Sequence, residues 1–349
     1  MTLKNRINFL DNLKVFLIML VVSHHAGQPY GGSNGWWYFT TEDSPGLGAF
    51  FAVNAAFFMS LFFLISAYFV SASLEKKGLG SFLRERFIHL GIPLLIGFFM
   101  LIPFSWPVIN FGHLWFLQHL LIYVIVFAFV QTYLLNPRHP KQYVHKPFPS
   151  FFVILLFTAF IALATFVIRI WYPIDHWIGF LGFIQTEFAH VPQYVSFFII
   201  GLSAAKNNWI VRIPGVIGII WIIIGFVLGA IVYSGKVTSF QPGGLNFGSL
   251  QYSFIETFLC MGMCVGLIFI FHLIANKSNI LMQFLSLNAF TVYVIHVPVV
   301  VISQYLVESL PVSAYFKFIL VIGLGISVSF SISHFFIKKI PFINKVLYR

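Results

Sequence analysis

Charge is what this chain has least of. Only 8% of its 349 residues are Asp, Glu, Lys or Arg, against 59% hydrophobic, and its mean hydropathy is +0.93. Soluble domains carry about 25% charged residues, so this composition excludes a soluble globular enzyme and implies an integral membrane protein. Long polar stretches are also lacking, which excludes an appended soluble module, and residues 1–349 read as a single membrane domain. Cysteine is nearly absent: Cys260 and Cys264 stand four apart in an apolar segment. With no other thiol to join them they read as small packed hydrophobes, so neither a disulfide framework nor a metal site is expected. The net charge of +11 could suggest nucleic acid, but the basic residues lie scattered between apolar runs and form no patch. They read as topology signals, with the lipid bilayer as the partner and no nucleic acid.

What is present is long apolar runs, rich in Phe, which occurs 45 times. A span needs about 20 apolar residues. Ten are read here, at 9–30, 49–72, 87–108, 113–135, 148–170, 191–206, 213–233, 250–275, 281–303 and 313–336. The expected fold is therefore an all-α polytopic bundle of about ten transmembrane helices. "IPFSWP" interrupts the third run and the sixth is short. The first run is followed by no small-residue cleavage site, so it reads as a permanent span and not a signal peptide. Of the 20 lysines and arginines, all but Arg169, Lys236 and Lys317 fall on one side of this arrangement. That asymmetry places both termini in the cytoplasm. The opposite loops, such as "WYPIDHWIGFLGFIQTEFAH", are rich in Trp, Tyr and Gly. Such residues serve as interface anchors or as a surface that stacks on sugars, and both readings stand at this point.

The first run carries the chemistry. In "KVFLIMLVVSHHAGQPYGG" the eleven steps from Lys14 to His25 turn through about 1100°, roughly 20° past three full turns, and advance about 16 Å. The two side chains thus share one helix face, a cation near the membrane boundary and a titratable base deep inside. Asp11, three residues before Lys14, is placed to pair with it or orient it. Ionisable groups inside a span are costly and point to function, although a lysine near a helix end also snorkels and a buried histidine also bridges to a carbonyl. The layout suits an extended ligand with an anionic head entering from the cytoplasm, the shape of a coenzyme A thioester.

"FLDNLKVFLIMLVVSHHA" resembles the opening of the acyltransferase 3 family of membrane acyltransferases, an Asp-x-x-Arg/Lys pair followed after ten residues by His. "SASLEKKGLGSFLRERFIHLGIPLL" resembles its basic loop and third helix. "GHLWFLQHLLIY" resembles its Leu-Trp-Phe segment, "HVPQYVSFFIIGLSA" its Pro-x-Tyr helix and "LSLNAFTVYVIHVPVV" its late Tyr-x-x-His-x-Pro helix. The likeness runs from about residue 5 to 337 and is greatest to stand-alone members of the glucan biosynthesis protein C type.

The resemblance implies an enzyme with no tightly bound cofactor that uses acyl-CoA as co-substrate. It would move an acetyl or succinyl group from cytoplasmic acyl-CoA to a hydroxyl of a glycan, lipid or other envelope acceptor, in the cytoplasmic (inner) membrane. It gives the catalytic positions to His25 and Asp11, with His25 as general base or as an acylated nucleophile. His24 is out of register and reads as a packing neighbour. Donor phosphates fall to Lys14, Arg86, Arg84 and His89. His113, Trp115, Gln118, Tyr194 and His296 are expected to line the acceptor route. Two positions depart from the pattern: His89 stands where a second Arg is usual, and Gln118 where a carboxylate often follows Leu-Trp-Phe. Arg169 and Glu256 are expected to pair, and Asp175, Glu187 and His190 to lie in a loop within reach of a sugar. The rival reading is a transporter or flippase of an envelope glycan or lipid precursor, against which no inverted repeat or paired broken helix is evident.

Overall fold

The computed structural model describes residues 7–31, 44, 46–105, 111–135, 145–180, 184–235 and 243–347. Lys4, Arg6, Arg138, Lys141, Lys236 and Arg349 lie outside the described residues, as does most of the first Trp-rich loop. The rest is a helical bundle in which ten helices are long and apolar enough to cross a membrane. They are α1 (Asn8–Gly27), α2 (Leu47–Tyr68, extended by the short α3, Ser71–Lys77), α4 (Leu79–Arg86) continuing into α5 (Ile92–Ser105), α6 (Trp115–Phe129), α7 (Phe151–Arg169), α8 (Val191–Asn207), α9 (Gly215–Tyr233), α10 (Phe247–Ile274), α11 (Ile280–Glu308) and α12 (Ala314–Phe335). A short helix, α13 (Pro341–Leu347), follows. Among the described residues each of the ten apolar runs forms a helix, as hydropathy requires, because a chain in hydrocarbon must satisfy every backbone group internally.

The third span begins earlier than its apolar run. α4 and α5 are joined by a π-helical turn at Phe87–Gly91, so the helix reaches back through the basic segment and carries Arg84, Arg86 and His89 on its wall. Hydropathy marks only the part that meets lipid; the charged turns before it are invisible to that signal. A second difference is a small antiparallel hairpin between α7 and α8, pairing β1 (Trp177–Phe180) with β2 (Ile184–Glu187). The segment was expected to be loop, and four-residue strands leave too short a pattern to read. Thr186 on β2 pairs with Nε2 of His119 on α6 at 3.1 Å, which ties the hairpin to the bundle.

α1 and α11 run through the interior, and α7 and α9 sit outside it with Phe152, Leu156, Val216 and Phe226 exposed to the lipid side. With tails as apolar as Leu, helices in a bilayer associate by close packing at small residues. A Cβ on Gly262 of α10 would come within 2.6 Å of the backbone of α9, and one on Gly201 of α8 within 2.3 Å of the Leu64 carbonyl of α2. These contacts hold α9 on α10 and α8 on α2. One end of the bundle collects the basic loops: Asn12 donates to the carbonyls of Ala275 and Lys277, His145 pairs with the Lys206 carbonyl, and His89 with that of Val346.

Candidate active site

Two cavities open along α1. The larger, of about 2450 Å³, lies toward the basic end and is lined by Asp11, Lys14 and Ile18 of α1 together with Arg84, Arg86 and His89. Lys76, Lys77, Lys206 and Lys345 add further cations to its wall. The smaller, of about 350 Å³, is lined by Val21, His24 and His25 of α1, and by His113, Trp115, Tyr194, Trp177 and Glu187. Lys14, Ile18, Val21 and His25 recur at helical spacing on one face. The stripe expected from the spacing therefore exists, and two cavities lie along it.

In the basic cavity Lys14 pairs with Asp11 at 3.2 Å and lies over the Phe69 ring at 4.6 Å. Asp11 thus belongs with the cation, roughly 21 Å along the helix from His25 at 1.5 Å per residue, and acts on Lys14 and not on the imidazole. Arg86 stacks on Phe82 at 4.9 Å. His89 donates from Nδ1 to the Val346 carbonyl at 2.7 Å, so the nitrogen that bonds α13 is not available to a phosphate. That explains how a histidine can stand where the family pattern has arginine: here the side chain anchors the C-terminal helix over the cavity.

The hydrogen bonds around His25 assign its tautomer and that of His296. His296 Nδ1 lies 2.7 Å from the Tyr293 carbonyl, which can only accept, so Nδ1 carries the proton and Nε2 of the neutral ring is a lone pair. His25 Nδ1 is 2.8 Å from that Nε2 and must donate to it. The lone pair of His25 is then at Nε2, on the other side of its ring. The His113 Nε2–H is shared between the carbonyls of Tyr293 and Val294 at 3.1 and 3.2 Å. Pro298 inside α11 explains why Val294 is free to accept: proline has no N–H to bond the carbonyl four residues back. Gln304 donates to the carbonyls of His25 and Ala26 and ties the end of α1 to α11. Although three imidazoles gather here, no group among the described residues is arranged to hold a metal ion.

Beyond His25 the small cavity is walled by a closed set of charges. Arg169 pairs with Glu256, whose other oxygen meets His190 Nε2 at 2.9 Å, while His190 Nδ1 meets Glu187 at 2.8 Å. Both nitrogens of His190 face carboxylates, so both must donate, and two cations balance two anions. Glu187 also accepts from the Asp175 N–H at 2.7 Å. Burial alone would raise the Glu187 pKa, but His190, this N–H and Arg169 together hold it below the ordinary carboxylate value. Its contribution to stability is present above the unfolded carboxylate pKa of about 4.3 and is lost as pH falls through its lower folded value. Removing one member would leave an unpaired buried charge, which costs about 3–5 kcal/mol. The Arg169–Glu256 pair was legible from the sequence. Glu187 and His190 are buried and not loop residues open to solvent, because the hairpin folds them inward.

Of the other expected lining residues, His113, Trp115 and Tyr194 line the small cavity. Tyr194 stacks on His190 at 5.7 Å and leans on Trp115 at 5.4 Å. His296 lies behind His25 and sets its tautomer. Gln118 is buried on α6 and lines neither cavity. His24 packs edge-on against Phe51 and near Phe58, at 4.9 and 5.3 Å. Trp177, Tyr252 and Tyr293 were not assigned from sequence. Trp177 carried a signal in its Trp-rich loop and Tyr293 one as the tyrosine of the Tyr-x-x-His-x-Pro motif, though with no role attached, whereas Tyr252 is an ordinary residue of an apolar helix until the bundle is assembled.

Comparison with known proteins identifies the family. Residues 7–334 match the family model described as "Acyltransferase domain". Curated proteins called "Glucans biosynthesis protein C" from Salmonella typhimurium, Salmonella typhi and Salmonella heidelberg are 28% identical over 231 residues, 56% of this chain and 57% of theirs. The chain therefore spans somewhat over half the length of the curated relatives it matches. No solved structure matches it. A ten-span bundle with a basic cavity and a tautomer-fixed histidine on one stripe, matched over residues 7–334 by one family model, leads to one conclusion: the chain belongs to the acyltransferase 3 family of membrane acyltransferases.

Proposed function

We propose that this protein is an O-acyltransferase of the cytoplasmic membrane, taking an acetyl- or succinyl-class group from cytoplasmic acyl-CoA to a hydroxyl of a glycan, lipid or other envelope acceptor. The relatives' name favours a glucan-like acceptor. The observation that carries the reading is the α1 stripe, with Lys14 in a cation-lined cavity and His25 in a separate aromatic-lined one. Lys14, Arg86 and Arg84 suit donor phosphates as point charge and forks. Trp115, Trp177 and Tyr194 offer flat faces to a sugar, and about 350 Å³ is at the small end of ligand pockets.

The steps balance without a cofactor. The acceptor hydroxyl gives its proton to Nε2 of His25, and its oxygen attacks the thioester carbonyl. The C–S bond breaks, and the departing thiolate takes the proton back from Nε2. His25 Nδ1–H remains on His296 throughout, so the imidazolium forms in place and oriented. A correctly placed base contributes about 10²–10⁴-fold. His25→Ala is expected to lower transfer by that factor in purified protein given acyl-CoA and acceptor, with the fold kept by size-exclusion profile, while His24→Ala keeps its activity. Equal rates in all three forms, or CoA-independent glycan flux in vesicles, would discard this mechanism.

A further inference from the structure

The two cavities come within one helical turn of each other. On α1 the boundary falls between Ile18 and Val21, on α2 between Phe62 and Met59, and on α6 between Phe116 and Trp115. Three residues of helix advance about 4.5 Å, so the two linings are about one side chain apart. Among the described residues, Tyr293 alone belongs to both linings. Its backbone cannot shift cheaply, since its carbonyl holds both His296 and His113. Its ring makes one hydrogen bond, from the hydroxyl to the His113 carbonyl, and packs at 5.6 to 6.0 Å from the rings of His113, Phe116 and His296.

We propose that the Tyr293 ring is a septum between the donor and acceptor cavities, latched on the His113 carbonyl, and that it sets the length of acyl group able to reach His25. This rests on the acyltransferase reading for its substrate but not for its geometry. An acyl group arriving from the basic cavity meets this ring before it meets His25. A short group needs only the hydroxyl to release and the ring to turn about χ1 against its three neighbouring rings. A long one needs room that the fixed backbone does not give. The closed ring also keeps the basic cavity, and the water in it, apart from the imidazole.

The test has an arm that needs no catalysis. Ala55→Cys places a thiol in the small cavity, in a background with Cys260→Ala and Cys264→Ala. An anionic, membrane-impermeant methanethiosulfonate reagent is added only to the basic face of sided vesicles. With Tyr293 labelling should be slow, with Tyr293→Phe faster because the latch is gone, and with Tyr293→Ala at least tenfold faster. The second arm compares kcat/KM for acetyl-, butyryl- and octanoyl-CoA. Tyr293→Ala should shift the octanoyl-to-acetyl ratio upward by tenfold or more, and Tyr293→Phe should keep the native ratio more closely. Should the alanine form not fold, the phenylalanine form decides alone by its labelling rate. Equal labelling in all folded forms, or faster labelling with an unchanged chain-length profile, overturns the proposal. A wild-type protein that transfers no acyl group from any donor overturns the acyltransferase reading instead, and the labelling arm still judges the septum.

Discussion

His296 has one lone pair and one N–H, and both are committed, the first to His25 and the second to the Tyr293 carbonyl. It touches neither cavity, so it acts on the reaction only through the tautomer and orientation of His25. Replacing it by Phe keeps the ring and removes the acceptor. His25 keeps its bond to the Val21 carbonyl of its own helix but loses its partner across the bundle, so its ring is less firmly oriented, and kcat should fall by about tenfold or more, up to the full 10²–10⁴ of the base itself. KM for acyl-CoA should not move, because the cations proposed to hold the donor lie in the other cavity. A rise in KM with kcat unchanged would place His296 in binding. The Lys14–His25 relation was legible because it is local: two residues on one helix have a fixed angle and rise. The His296 contact was not, since the two rings stand 271 positions apart and neither carries a pattern that names its partner.

Elements differ from residues in how well hydropathy reports them. Each of the ten spans could be read, since a long apolar run has one stable form in lipid, whereas the hairpin at Trp177–Glu187 and the π-helical turn at Phe87–Gly91 depend on tertiary contacts that outweigh local propensity. α11 shows a single residue acting through its element. Pro298 frees the Val294 carbonyl, and His113 takes it. An N–H restored at this position would compete for that carbonyl inside the helix, where proline costs about 3 kcal/mol relative to alanine. Pro298→Ala should therefore be at least as heat-stable in detergent as the native protein, while His113 loses an anchor and turnover falls severalfold. A variant that melts earlier, or one that keeps full turnover, would show that the free carbonyl has no such role.

At the scale of the molecule the uneven charge becomes a chamber. The lysines and arginines were read as topology signals, and half of those among the described residues gather around one cavity. Their second use was hidden, because it needs α1, the α3–α5 segment, α8 and α13 to converge on one volume. Seven lysines and arginines line that volume against Asp11, Glu75 and Glu85. Part of this charge is spent within the wall: Lys77 pairs with Glu85 and Lys14 with Asp11. The surplus is positive and open to water, and such charges act over a Debye length that shrinks from about 10 Å at 0.1 M salt to about 3 Å at 1 M. An anionic donor held by several of them should feel that screening, whereas the neutral chemistry around His25 should not. Raising NaCl from about 0.1 M to about 1 M should raise KM for acyl-CoA several-fold and leave kcat within twofold. Arg86→Gln should raise KM at low salt and flatten its rise with salt. A KM indifferent to salt, or a kcat that falls with it, would mean that the cation-lined chamber is not where the donor binds.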